Sequence, residues 1–351
     1  MTRVGSCVFT TDQGLGYLAR DFYQHGVVTD VAIISHGRRL EHDDWYPGSL
    51  KVGSLRDPKQ IAQLEAFCES MDAMLFFETP FEWHLIDFCR EIGVKTILMP
   101  MHECMPSKLP AIPDVMACPS DLDLKLYGYR QARGDLGNRC EVVRVNVPVP
   151  DWVKWRQRTR ADVFVHNAGN GGLKGRNGCQ ELVDALVLVE SNAKIVLRTQ
   201  ERSTVPWLEH LSVPRIPTEI KYGGVPQEEL YDEGDVFIFP EKFNGLSLPL
   251  QEAFASGMGV MATDRFPNNT YLPQEMLIPI RGTVPERIAD RFEQYDRAVI
   301  DPKDIALCID RWHGKDISYL SEAGRLYGEQ MSWSVQRPLW QEMIERVVVA
   351  R

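Results

Sequence analysis

Short apolar runs alternate with amphipathic stretches along the whole chain. In the first half, the runs 73–78 (AMLFFE) and 94–100 (VKTILMP) have the length of buried strands, and the apolar residues of 82–93 between them have helical spacing. A second series starts at 161–169 (ADVFVHNAG) and includes the run 235–240 (DVFIFP). Strands that alternate with helices are typical of βαβ units, so the pattern predicts an α/β protein with mostly parallel sheets.

The two series meet at 147–152 (VPVPDW), where two prolines interrupt both periodicities. The chain has 351 residues, enough for two domains. We therefore predict an N-terminal domain over 1–150, a second α/β domain over 151–330 and a closing helix over 331–351, with a ligand cleft between the domains. The other predicted strands are 4–9, 28–35, 140–147, 193–199 and 259–264, and the other predicted helices are 17–26, 61–71, 180–191, 247–257 and 301–314.

Composition narrows the class of protein. Hydrophobic residues make up 44% and charged residues 25% of the chain, which is the balance of a globular protein and excludes a disordered or collagen-like chain. The chain has 39 Lys and Arg residues against 49 Asp and Glu residues. The resulting net charge of −10 argues against bulk electrostatic binding to nucleic acid or anionic membranes.

Cysteine spacing and apolar run length predict the compartment. The eight cysteines are scattered singly without a Cys-x-x-Cys pair, so they predict reduced, mostly buried thiols and neither a zinc ribbon nor a thioredoxin-like motif. The apolar runs are too short to span a bilayer, and polar residues interrupt the N-terminus before a signal peptide could form. We expect a soluble, cytoplasmic protein.

The segment 235–264 carries the most chemical information. It predicts a strand, a loop and a helix that starts near Ser247. The amides of Gly245, Leu246 and Ser247 at the helix N-terminus are suited to a phosphate group. Glu252 lies about one and a half turns into the helix, within reach of hydroxyls on the same ligand. The alternative is an ordinary helix-capping turn with a solvent-facing glutamate.

Residues 248–264 (LPLQEAFASGMGVMATD) resemble the donor-binding segment of retaining glycosyltransferases of family 4, and 218–240 are similar to the usual lead-in to that segment. Members of this family have the GT-B fold, in which two Rossmann-like domains face a central cleft. Their closing helix crosses back onto the N-terminal domain. The resemblance implies the same fold for this α/β chain, with 1–150 as the acceptor-binding domain, 151–330 as the nucleotide-sugar donor-binding domain and 331–351 as the crossing helix.

The family signature Glu-x7-Glu assigns roles in this segment. Glu252 matches the second glutamate, which holds the ribose hydroxyls of the nucleotide. Asn244 stands in place of the first glutamate, which contacts the transferred sugar. An amide can bind a sugar hydroxyl but cannot be a carboxylate nucleophile. Glu241 is an alternative carboxylate, which we rank below Asn244 retaining the sugar contact.

The stretch 163–178 (VFVHNAGNGGLKGRNG) resembles the first strand and loop of the family's nucleotide-binding domain. An Arg and a Lys there clamp the donor diphosphate in the family, and the alignment puts Gly172 and Asn177 at those positions. Lys174 and Arg176 lie in the same loop, and two cations in a glycine-rich loop suit a diphosphate leaving group. The alternative is a solvated basic loop.

The N-terminal half carries fewer signals. Gly14 and Gly16 follow the first strand and open a helix, which resembles the family's glycine loop near the donor phosphates; a tight strand–helix turn is the alternative. His102 follows a strand, where the family often has a histidine near the sugar and acceptor. A metal site of His102 with Cys104 lacks a second pair of ligands.

The resemblance implies a retaining hexosyltransferase that moves a sugar from a UDP- or GDP-sugar to a hydroxyl acceptor in a glycan, a lipid-linked molecule, a small molecule or a modified DNA base. No cofactor or metal is expected, because loop cations and the helix dipole would stabilise the departing diphosphate. The residues expected to carry catalysis are His102, Asn244, Lys174 and Arg176. Those expected to bind the donor are Gly14, Gly16, Gly172, Lys174, Arg176, Gly245, Leu246, Ser247 and Glu252.

Three alternatives remain open at this point. A nucleotide-sugar epimerase or a phosphorylase would share the fold. The departures at Gly172, Asn177 and Asn244 suit a catalytically silent sugar-nucleotide-binding protein. A DNA-modifying enzyme of the phage type, acting on a hydroxymethylated base, has support only from the basic stretch 152–160 (WVKWRQRTR). We favour a solvated helix face for that stretch.

Overall fold

The structure is a computed structural model that describes residues 2–11, 13–35, 42, 44–169, 175–202, 216–287, 289 and 292–350. The chain divides into two compact units. Unit 1 comprises Met1–Pro148, Arg287–Glu293 and Trp333–Arg351, and unit 2 comprises Val149–Glu286 and Gln294–Ser332. The main boundary at 148/149 lies within the proline-bearing stretch.

Unit 1 contains a parallel sheet flanked by helices. Its strands are β1 (Val4–Val8), β2 (Asp30–Ile34), β3 (Leu50–Val52), β4 (Ala73–Glu78), β5 (Lys95–Pro100), β6 (Val115–Cys118) and β7 (Glu141–Arg144). Its helices are α1 (Gly14–Gln24), α2 (Pro58–Glu69), α3 (His84–Ile92), α4 (Asp121–Ala132) and the C-terminal helix, called α9 below (Trp333–Val349). The strand order is β3-β2-β1-β4-β5-β6-β7.

Burial and close backbone approach explain these elements. Five of the six residues of β4 are buried, as expected for a parallel strand covered on both faces. Helix α1 starts close to the end of β1, and a Cβ on Gly16 would lie 2.1 Å from the carbonyl oxygen of Thr11, so this approach requires glycine. Helix α9 packs on unit 1 through Trp340, whose Nε1 donates to the carbonyl oxygen of Asn146 at 2.8 Å.

Unit 2 contains a second parallel sheet. Its strands are β8 (Val163–Gly169), β9 (Lys194–Thr199), β10 (Thr218–Tyr222), β11 (Val236–Phe239) and β12 (Gly259–Ala262), in the order β10-β9-β8-β11-β12. Its helices are α5 (Cys179–Leu186), α6 (Leu248–Ala255), α7 (Pro302–Trp312) and α8 (Ser318–Gln330). An antiparallel ribbon of β13 (Thr283–Glu286) and β14 (Tyr295–Ala298) completes the unit.

The central strands of unit 2 alternate between two hydrophobic cores. Val236 and Ile238 of β11 pack in the core that contains α5 and α7, and Phe237 and Phe239 pack in the core that contains α6. Both faces of the sheet are therefore buried, which is why its strands are continuous apolar runs in the sequence. The predicted α/β organisation with parallel sheets is confirmed.

The structure corrects two local predictions. Helix α5 ends at Leu186, several residues before the predicted 191. The basic stretch 152–160 is not a solvated helix face, because none of its residues is helical and Arg158 is buried. Arg158 instead donates to backbone carbonyl oxygens, including those of Tyr231 and Ser256. The guanidinium of Arg158 therefore bonds backbone oxygens inside unit 2.

Two structural features relate to the predicted compartment, namely the burial of the thiols and the apolar character of the helices. All eight cysteines are free, and all except Cys104 are buried. Burial raises the pKa of the Cys140 and Cys179 thiols to about 12, so both are protonated and unreactive at neutral pH. Among the described residues, no helix combines the length and apolar character needed to cross a membrane.

Candidate functional site

The candidate site lies in unit 2, at the carboxyl edge of its sheet. The strand order reverses between β8 and β11, which are neighbours in the sheet. Open α/β sheets bind ligands at such a switch point. We call residues 240–247 the β11 loop and residues 170–178 the β8 loop; the structure describes 175–178 of the latter.

The two loops contact each other directly. The amide of Lys242 donates to the carbonyl oxygen of Arg176 at 2.7 Å. Gly178 has a φ of 71°, and a Cβ there would lie 1.9 Å from the carbonyl oxygen of Pro240, so the approach requires glycine. The ammonium of Lys242 lies 2.7 Å from a carboxylate oxygen of Glu181 on α5. Two segments that are about 65 positions apart in sequence therefore form one edge.

Glu241, a residue of the β11 loop, is the centre of a buried polar cluster. Its Oε1 lies 2.5 Å from Nη2 of Arg265 and accepts a hydrogen bond from Nδ2 of Asn268 at 3.0 Å. Its Oε2 accepts from the hydroxyl of Ser247 at 2.9 Å. Arg265 also donates to the carbonyl oxygen of Asn244 at 2.9 Å. The carboxylate is 0% exposed and both oxygens are engaged, so Glu241 fixes the loop and does not face a substrate.

The β11 loop ends in a left-handed residue. Ser247, the residue before α6, has a φ of 53°, a conformation that costs a non-glycine residue about 1 kcal/mol or more. Its hydroxyl bond to Glu241 and its amide bond to Oδ1 of Asn244 at 3.2 Å hold it there. Asn244 therefore uses its amide oxygen to shape the loop, which leaves its side-chain NH₂ for a ligand.

Glu252 is held by a neutral donor. The hydroxyl of Tyr231 donates to Oε2 of Glu252 at 2.7 Å, and among the described residues it is the hydrogen-bond partner of this carboxylate. Burial raises the pKa of Glu252 to about 7, and the bond from Tyr231 partly offsets that effect. A partly buried carboxylate with one committed oxygen is suited to accept hydroxyl donors from a ligand.

The polar side chains near the end of β8 are uncharged at neutral pH. Nδ1 of His166 lies 2.8 Å from the carbonyl oxygen of Ile238, and burial lowers the pKa of this histidine to about 4. Asn177 donates from Nδ2 to the carbonyl oxygen of Ala168 at 2.6 Å. The amide at the expected lysine position therefore closes the β8 loop onto its own strand, and His166 is uncharged at neutral pH.

Several solved structures are similar to this protein over its whole length. Anabaena HepE in complex with UDP and glucose has a TM-score of 0.69 at 9% identity, with 98% of this chain and 100% of that chain covered. The sucrose-phosphate synthase of Thermosynechococcus elongatus has a TM-score of 0.68 at 12% identity, with complete coverage of both chains. A glycosyltransferase from Rickettsia africae has a TM-score of 0.63 at 13% identity, with 100% and 99% covered.

The chain has the GT-B fold. It consists of two Rossmann-like domains, as the resemblance implied. No family model matches the sequence, and no match to a curated protein is significant. At identities of 9–13%, the similarity shows the GT-B fold and leaves the activity to be argued from the residues.

The structure describes some of the residues of unit 2 that were predicted to bind the nucleotide-sugar donor, and leaves two of them out. Gly245, Leu246 and Ser247 lie in the β11 loop, where Leu246 is buried and its carbonyl oxygen accepts from Nε2 of Gln251 at 2.9 Å. Arg176 is exposed next to that loop. The predictions for Gly172 and Lys174 lie outside the described residues.

The predicted residues of unit 1 occupy the carboxyl edge of the other GT-B sheet. Gly14 and Gly16 form the start of α1, as predicted. His102 opens the short 3-10 turn after β5 and is only 3% exposed. Its Nδ1 lies 3.6 Å from Oδ1 of Asp123 and 3.7 Å from Oε2 of Glu103. The sugar-positioning role of His102 stays a prediction.

Sequence reasoning missed three residues of the candidate site. Tyr231, Lys242 and Arg265 lie 21, 10 and 13 positions from Glu252, and no spacing rule connects them with it. Lys242 was visible as a cation inside the β11 loop, and this was the one available signal. Among the described residues, no group of three His, Cys, Asp or Glu side chains is arranged to hold a metal ion.

Proposed function

We propose that the protein is a glycosyltransferase that uses a nucleotide-sugar donor, a UDP- or GDP-sugar, and transfers the sugar to a hydroxyl acceptor with retention of configuration. The observation that carries the proposal is the placement of Glu252 and the N-terminus of α6 behind the β11 loop, at the switch point of the sheet. The GT-B fold supports it, since the similar HepE structure holds UDP and glucose.

The proposed donor binds along the start of α6. Its diphosphate lies near the β11 loop, where the helix dipole and the cations Arg176 and Lys242 favour negative charge. Lys174, which lies outside the described residues, is expected from the sequence alone to add a third cation. Glu252 accepts hydrogen bonds from the ribose hydroxyls, and the NH₂ group of Asn244 contacts the transferred sugar. His102 is proposed to contact the same sugar.

The proposed reaction is a front-face displacement. The bond between the anomeric carbon and the β-phosphate oxygen breaks as the acceptor oxygen attacks from the same face, and the acceptor proton passes to the leaving phosphate. Asn244 has no carboxylate to form a covalent intermediate, and Glu241 is enclosed with Arg265. The main contribution of the protein is stabilisation of the departing diphosphate, for which the loop cations and the α6 dipole serve without a metal.

Donor turnover tests the proposal. Incubation with UDP- and GDP-sugars, alone and with glycan or small-molecule acceptors, is expected to release the nucleoside diphosphate. Glu252→Ala and Arg176→Ala should each reduce that release by about tenfold or more, since each removes one charged contact to the donor. A product with inverted anomeric configuration, or a glycosyl group trapped on a side chain, would contradict the front-face mechanism.

A second candidate is a sugar-nucleotide-binding protein without transferase activity. It is favoured by the amide at position 244, whose oxygen already bonds the amide of Ser247. Nucleotide-sugar binding with no release of nucleoside diphosphate under any acceptor condition would support it. Interconversion of donors without an acceptor would instead identify an epimerase. The DNA-modifying alternative loses the support of Arg158, which is buried.

A further inference from the structure

We propose that Tyr231 is a positioning residue that holds the carboxylate of Glu252 for the ribose hydroxyls of the nucleotide. The inference rests on the proposed function, because it takes the ligand of Glu252 to be a nucleotide. It adds a residue from a different segment of the chain, since Tyr231 precedes β11 and Glu252 follows it. The hydroxyl of Tyr231 lies 2.7 Å from Oε2 of Glu252.

The hydroxyl of Tyr231 has little freedom to bond elsewhere. The residue is 5% exposed, and its hydroxyl also lies 3.4 Å from the carbonyl oxygen of Pro249 in the first turn of α6. Its ring lies parallel to that of Trp152 at 6.0 Å and edge-on to that of Phe237 at 5.9 Å. A rigid donor thus reaches the carboxylate from one side and selects which oxygen faces the ligand.

Arg158 couples the backbone of Tyr231 to the helix that carries Glu252. Its Nη2 donates to the carbonyl oxygen of Tyr231 at 2.5 Å, and its Nη1 donates to the carbonyl oxygen of Ser256, the C-cap residue of α6. Burial lowers the pKa of Arg158 to about 10, so it remains charged at neutral pH. Arg158 therefore holds the backbone of Tyr231 and the C-terminal end of the helix that carries Glu252, while the side chains of Tyr231 and Glu252 bond each other.

The pairing also sets the charge of Glu252. Burial alone favours its protonated form, and the donated bond from Tyr231 favours the carboxylate. Burial raises the pKa of Tyr231 well above its usual value, so the hydroxyl remains a donor at neutral pH. Other ionisable groups lie close to α6. Tyr327 of helix α8 donates to Gln251, and the Glu241–Arg265 pair lies beside Ser247 at the N-terminal end of α6.

A ribose comparison tests the inference. The probe is whichever of UDP, GDP, ADP and CDP stabilises the wild-type protein most, together with its 2′,3′-dideoxy counterpart. Hydrogen bonds to a carboxylate predict that the wild type binds the dideoxy nucleotide about 10- to 100-fold more weakly. In Tyr231→Phe this ratio should fall to about threefold or less, and the pH below which the full nucleotide loses affinity should rise by about 0.5 or more.

The chain offers a matched control. Tyr327→Phe removes a tyrosine hydroxyl that donates to Gln251 at 3.0 Å, one residue before Glu252 on the same helix. It should preserve both the ribose ratio and the pH dependence of the wild type. A purely structural role for Tyr231 would give Tyr231→Phe the same result as Tyr327→Phe, and that outcome would overturn the inference.

Two further outcomes separate this inference from the proposed function. If the wild type binds none of the four nucleotides, the proposed function itself fails. If Tyr231→Phe is too unstable to assay, Trp152→Leu removes the parallel ring and leaves the hydroxyl in place. A reduced ribose ratio in Trp152→Leu would support positioning by Tyr231, and an unchanged ratio would overturn it.

Discussion

Glu241 and Glu252 are eleven residues apart on the two sides of the α6 N-terminus, and they are held in opposite ways. Glu241 is enclosed with Arg265, Asn268 and Ser247, and its two oxygens are engaged. Glu252 has one neutral partner, Tyr231, and a pKa of about 7. A carboxylate matched with a cation gives the loop its shape. A carboxylate matched only with a hydroxyl keeps part of its bonding capacity for a ligand.

The largest expected effect is the loss of stability when the carboxylate of Glu241 is removed from its cluster. Glu241→Ala leaves Arg265 buried without its carboxylate, which should lower the free energy of unfolding by about 3–5 kcal/mol. Urea unfolding followed by fluorescence measures this change. The double variant Glu241→Leu with Arg265→Met should recover much of the loss, because it removes both charges. A loss below about 1 kcal/mol in Glu241→Ala would mean that the cluster does not hold the loop.

The second effect concerns ligand binding by Glu252. Glu252→Gln retains the size of the side chain and removes its charge, so nucleotide affinity should fall by about 10- to 100-fold while the fold is retained. Calorimetric titration of the nucleotide measures the affinity, and circular dichroism checks the fold. The matched change on the same helix, Gln251→Glu, is a poor control because Gln251 is buried. Glu229→Gln, on the exposed surface before Tyr231, serves instead.

The third effect is a pH dependence with opposite signs for stability and binding. The folded-state pKa of Glu252 is about 7, above the usual value of 4.5 that the unfolded chain has. Between these values the folded state binds more protons, so the contribution of Glu252 to stability falls as the pH rises from about 4.5 to 7. Nucleotide affinity should instead rise across pH 7, because the ionised form accepts the ribose hydroxyls. Glu252→Gln should remove both slopes, and their persistence would contradict the assignment.

The smallest effect concerns Ser247, which links the two glutamates. Ser247→Gly relieves the strain of the positive φ but removes the hydroxyl bond to Glu241. The lost bond should outweigh the relieved strain, so the free energy of unfolding should fall by about 1 kcal/mol. The thermal midpoint should therefore fall by a few degrees. A glycine variant more stable than the wild type would show that the strained serine is kept for a reason other than this bond.

The sequence predicted the parts of the site that depend on neighbours in the chain. The order of strand, loop and helix over 235–264 placed Glu252 and the β11 loop correctly, because a parallel strand followed by a helix can fold in few ways. Gly178 was visible only as one of several loop glycines. Its contact with Pro240 depends on the strand order, which no local pattern encodes.

Long-range pairing explains what the sequence could not predict. The basic stretch 152–160 resembles a solvated helix in composition, but Arg158 finds carbonyl oxygens from residues more than 70 positions away and becomes buried. His102 was placed correctly at a strand end, but its neighbour Asp123, 3.6 Å from its Nδ1, lies on α4, a helix absent from the predicted elements. The sequence shows that such residues are charged or polar, but it does not show which distant residues they bond in the folded protein.

The most direct test of the central claim, that unit 2 binds a nucleotide-sugar donor through Glu252, is thermal unfolding in the presence of UDP-, GDP-, ADP- and CDP-sugars. A ligand at 100 times its dissociation constant stabilises the folded state by about 2.7 kcal/mol. We predict that one of these donors raises the midpoint of the wild type by about 5 °C or more and leaves Glu252→Ala unchanged. No shift with any donor, or an equal shift in the variant, would contradict the claim.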